Sequence, residues 1–80
     1  MNPIELAIKI KQLEDYKVVI GFYCIDPTEE EIEEVKTKFS RFIESYYPSL
    51  PKETLNECVE ILYESWMDDN EKIFHELIMN

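Results

Sequence analysis

The sequence predicts a mainly α fold in a single compact domain spanning residues 1–80. Apolar residues recur at helical spacing through the C-terminal two thirds, and the segments that carry them open on capping side chains and proline. An apolar content of 45% is enough for one core, and a chain of 80 residues is long enough for one domain.

The first element is expected as a helix over about 3–15. Asn2-Pro3-Ile4-Glu5 supplies a capping side chain, a proline at the first helical position and an acid in the first turn. A helix puts Leu6, Ile10 and Leu13 on one side and Ile4 and Ile8 on the other. A strand would instead alternate Ile4, Leu6, Ile8 and Ile10 with polar or small neighbours. The cap and the good helix formers favour the helix. Residues 17–25 are β-branched and aromatic and read as a short extended apolar segment. A strand needs a partner for its amides, either residues 4–11 in a hairpin or the same strand of a second copy. The intervening Gln12-Leu13-Glu14-Asp15 holds no hairpin turn chemistry.

A second helix is expected over 28–47. Asp26-Pro27-Thr28-Glu29 repeats the opening signature with Asp26 as cap, and Ile32, Val35, Phe39, Phe42, Ile43 and Tyr46 follow at helical spacing until Pro48. A third, over 51–67, carries Leu55, Cys58, Val59, Leu62, Tyr63 and Trp66 in one stripe. Asp68-Asp69-Asn70-Glu71 then reads as a break and a new cap, with a terminal helix over 70–79 bearing Ile73, Phe74, Leu77 and Ile78. The alternative is one helix running straight through, since neither glycine nor proline interrupts it.

The charge is unevenly placed. Of a net −10, residues 1–26 carry −1, 27–48 carry −3 and 49–80 carry −6. Glu53, Glu57, Glu60 and Glu64 fall within about 60° of one another on a helix, opposite Leu55, Leu62 and Trp66, and Asp68 and Glu71 would extend the row if the helix continues. Like charges four residues apart destabilise a helix by about 0.2–0.5 kcal/mol a pair, and no Lys or Arg lies between Glu53 and Glu71. On the second helix, by contrast, Glu34 is followed four residues later by Lys38, as on an ordinary solvated face.

These features exclude more than they assign. An acidic chain suits neither direct nucleic-acid binding nor an anionic membrane, and Val18–Ile25, the longest uncharged run, is too short to span a bilayer. Met-Asn-Pro-Ile-Glu lacks the form of a signal peptide, so a cytoplasmic location is expected. Cys24 and Cys58 have neither a disulfide framework nor zinc spacing and are expected as buried thiols. A lone His75 gives no basis for catalysis, and one glycine leaves no phosphate-cradling loop, so no enzyme, cofactor or metal site is expected.

The acidic row suggests a basic protein as partner. Tyr46-Tyr47-Pro48 closes the second helix, and helical geometry lets only one of the two tyrosines face the core. Tyr47 is expected as the exposed binding anchor beside Glu53, Glu57, Glu60, Glu64 and Asp68. The Tyr-Tyr-Pro triplet resembles that of the colicin-DNase immunity proteins, small acidic four-helix inhibitors that present tyrosines and carboxylates to a basic nuclease. The resemblance covers three residues and lacks that family's preceding His-Pro-x-Gly stretch. The expected function is a non-enzymatic protein-binding module that inhibits or regulates a basic, nucleic-acid-handling protein. Imitation of DNA is the less supported variant, since six carboxylates stand over a length where one DNA strand offers about eight phosphates, with no second row. The alternative is an assembly subunit that forms homodimers or larger oligomers through 17–25, with Val19 and Tyr23 in the interface.

Overall fold

The computed structural model describes residues 2–16 and 26–79, which are mainly helical: α1 (Pro3–Lys11), α2 (Glu29–Tyr46) and α3 (Lys52–Met79). The extended segment expected at 17–25, with the interface residues Val19 and Tyr23, lies outside the described residues. Residues 4–11 are helical, so they do not supply the partner strand of a hairpin.

The start of α1 follows its sequence signature. Asn2 is extended, and its Oδ1 accepts from the amides of Ile4 at 2.8 Å and Glu5 at 3.1 Å, with Pro3 at the first helical position. The helix ends at Lys11 and not near residue 15. The amides of Gln12, Leu13 and Tyr16 donate only three residues back, to the carbonyls of Lys9, Ile10 and Leu13, which tightens the chain out of the α-helix. The reason lies in Tyr16. Continuing α1 would set it roughly 120° from the centre of the buried face, whereas the tighter turn buries it against Phe39 and Phe42 at ring separations of 6.1 and 6.3 Å.

The cap of α2 is Thr28, two residues later than expected. Glu31 N–H donates to Thr28 Oγ1 at 3.2 Å while Thr28 N–H donates to Glu31 Oε1 at 3.0 Å, a reciprocal capping box. Pro27 disfavours a helical Asp26, which takes a left-handed φ of 47° that aspartate tolerates. At the far end Pro48 acts as predicted. It takes Tyr47 out of the helical region, at φ −134° and ψ 71°, and the last amide of the run, that of Tyr47, reaches Ile43 O at 2.8 Å.

Helix α3 corrects the expected break: its 28 residues run through Asp68–Glu71 without interruption. Asn70 does not cap a new helix. It is buried, and it extends the inward row of Leu62 and Trp66 by one turn. Keeping asparagine inside a helix costs about 0.7 kcal/mol, less than opening the backbone and leaving terminal amides and carbonyls without partners.

Leu55, Cys58, Val59, Leu62 and Trp66 of α3 form the middle of the core, with Leu6, Ala7 and Ile10 of α1 and Val35, Phe39, Phe42 and Ile43 of α2 packed around them. Both shorter helices pack against α3. Its rise of about 42 Å sets the longest dimension of the molecule, 44 Å.

The capping geometry makes a prediction that separates the two candidate caps. Thr28→Ala is expected to destabilise the fold by about 1 kcal/mol in urea titration. Asp26→Gly, which suits the positive φ, is expected to leave stability unchanged or raise it. Loss of stability from the Asp26 variant alone would return the cap to Asp26.

Candidate partner-binding surface

Helix α3 has two faces with opposite demands. Positions that build the core with α1 and α2 are mainly apolar, and Glu53, Glu57, Glu60, Glu64, Asp68 and Glu71 are all exposed on the outer side and flanks of the helix. Because the helix is unbroken, Asp68 and Glu71 continue the row begun at Glu53, which the expected break would have interrupted.

The row is not wholly without counter-charge. Lys36 of α2 reaches across to Glu60, Nζ to Oε1 2.9 Å, and its ammonium lies 4.8 Å from the centre of the Tyr63 ring. The hydrogen bond to Glu60 raises the Lys36 pKa against the opposing effect of desolvation, with Tyr63 and Glu33 adding to the rise. On the other flank Lys11 of α1 donates to Ser65 Oγ at 2.6 Å. The absence of a base between Glu53 and Glu71 therefore misses what neighbouring helices bring. Glu53, Glu57, Glu64 and Asp68 make no ion pair among the described residues.

The tyrosines exchange their expected roles. Tyr47 is partly buried and packs against the core, so it is not the exposed anchor, whereas Tyr46 is 44% exposed. The expectation placed both rings on a regular helix, but Pro48 takes Tyr47 out of it. Tyr46 stacks edge-on against Phe42 at 5.2 Å and donates its hydroxyl to Asp15 Oδ2 at 3.0 Å. That bond holds the phenol's pKa above its ordinary value.

Between α1 and α3 lies a groove of about 510 Å³ lined by Pro3, Ile4, Asn56, Glu57, Glu60 and Ile61, together with Asn2. Sequence reasoning missed it, although it placed Ile4 on the outward side of α1. Among the described residues no group of three or more His, Cys, Asp or Glu is placed to hold a metal ion, and His75 is exposed. Cys58 is a free thiol in the core, and burial pushes its pKa up to about 11. No helix among the described residues is long and apolar enough to cross a membrane.

Comparison with protein-family models, curated proteins and solved structures finds no match for this chain.

Cys58 should behave as a small hydrophobe. In a Cys24→Ser background it is expected to resist a disulfide reagent near neutral pH until denaturant unfolds the chain. Because its folded pKa lies above the ordinary thiol value, its contribution to stability is intact below about pH 9 and is lost as pH rises through about 11. Urea midpoints measured across that window should fall more steeply in the parent than in Cys58→Ala. Equal slopes would mean the thiolate is accommodated.

Proposed function

We propose that this chain is a small non-enzymatic protein-binding module that engages a basic protein through the outer face of α3 and inhibits or regulates it. One observation carries the reading. Glu53, Glu57, Glu64 and Asp68 stand exposed along one helix with no ion pair among the described residues, at a cost in like-charge repulsion. Such a ridge raises the local concentration of a cationic partner and speeds its encounter. A nucleic-acid-handling protein is the natural class, because its phosphate-binding face presents the clustered Lys and Arg that this ridge complements. Glu60 has a lesser part in it, since Lys36 already neutralises it.

The reading predicts opposite effects on binding and stability. Glu57→Gln with Glu64→Gln removes the repulsive pairs Glu53–Glu57, Glu60–Glu64 and Glu64–Asp68 and spares the Lys36–Glu60 bridge. The double variant is expected to match or exceed the parent in stability, by up to about 1 kcal/mol. A basic protein captured from source-cell lysate at about 50 mM salt and thinned at about 500 mM should be lost with it. Glu30→Gln with Glu34→Gln on α2 is the control. Capture that survives the α3 substitutions would reduce the ridge to solvated surface.

A further inference from the structure

The groove between α1 and α3 holds apolar surface that the fold itself does not use. Ile4 is 62% exposed and Ile8 53%, one turn apart on α1, and Ile4 lines the groove with the partly buried Ile61. Isolated surface isoleucines are common, but Ile4 and Ile8 at i, i+4 are neighbours on the helix surface, so apolar surface continues from the groove at Ile4 along α1. The opposite wall of the cleft is Glu57 and Glu60, and Glu53 and Glu64 lie a turn to either side.

We infer that this groove is the seat of a cationic amphipathic segment of the partner, an inference that rests on the ridge reading above. The segment's apolar side chains would cover Ile4, Ile8 and Ile61 while its Lys or Arg residues meet Glu53, Glu57 and Glu64. Charge decides against a second copy of this chain. Two such faces apposed would bring carboxylates together in a protein of net charge −10. Charge alone would leave the partner's register undefined, since exposed pairs are weak and tolerant of geometry. The apolar strip supplies the side-chain pockets that fix it.

The test uses three labelled probes with the full chain at about 50 mM salt: a Lys/Leu peptide patterned as an amphipathic helix, the same composition scrambled, and oligolysine. Fluorescence anisotropy gives affinities, and methyl NMR reports Ile4, Ile8 and Ile61. The amphipathic peptide is expected to bind about tenfold tighter than the scrambled one and to shift those three methyl groups. Ile4→Gln with Ile8→Gln, both exposed positions where glutamine keeps the helix, should abolish that advantage and leave oligolysine binding and circular dichroism unchanged. Equal affinity for the two peptides, or indifference to the isoleucine changes, overturns the groove while the ridge reading stands. Binding indifferent to Glu57→Gln with Glu64→Gln, or no binding of any probe, overturns the ridge and the groove with it. Self-association that the isoleucine changes abolish would make a second copy the occupant and also overturn the inference.

Discussion

Burial of one face of α3 is the constraint on which the rest of the molecule depends. Leu55, Cys58, Val59, Leu62 and Trp66 are the surface against which α1 and α2 both pack. Each large side chain removed from water there contributes about 1.5–3 kcal/mol, far more than any cap or surface pair in the structure. Because the stripe follows the helical period, the opposite face of α3 must look outward. Folding asks of that face only that it be polar. The carboxylates along it raise the free energy by about 1 kcal/mol in total, an amount the core easily outweighs. Their sign is thus a choice that packing leaves open.

The same geometry governs how the charge is moderated. Among the described residues the acidic row of α3 takes its ion pair from α2, while α1 contributes a hydrogen bond to a neutral hydroxyl. Lys36 reaches Glu60 from α2, and Lys11 reaches Ser65 from α1. A lysine at the edge of each packing contact costs nothing in core volume, because its stem lies along apolar surface and its ammonium stays in water. The neutralised carboxylate is thus Glu60, while Glu53, Glu57, Glu64 and Asp68 make no ion pair among the described residues.

Periodicity made the core legible. The predicted inward positions of α2 and α3 hold for Val35, Phe39, Phe42, Ile43, Leu55, Cys58, Val59, Leu62 and Trp66, because a run of apolar residues at i, i+3 and i+4 has few other solutions. The stop at Pro48 and the cap at Asn2 were equally legible, since each acts on its immediate neighbours. Four other features were not. The Thr28–Glu31 box was written in the sequence, but Asp26-Pro27 offered a competing start that only the backbone at Asp26 decides. Asp68–Glu71 has the composition of a cap, and burial of Asn70 by tertiary packing overrides it. The exchange of Tyr46 and Tyr47 follows from the dihedrals imposed by Pro48, and the Lys36–Glu60 bridge spans two helices. The candidate site was therefore visible as a row of like charges, while its limits and its neighbouring cleft required the third dimension.

The short connection between α2 and α3 has a consequence in time. Tyr47–Pro51 joins these helices by five residues, so their pairing closes a small loop. Contacts between α1 and α3, such as Lys11 with Ser65, span 54 residues. Loop-closure entropy orders these events: local pairing is cheap to initiate, and distant pairing waits for it. The cleft between α1 and α3 thus depends on the more distant of these two pairings. A ligand bound in that cleft would touch both helices, so it would favour the folded chain and with it the longer loop closure.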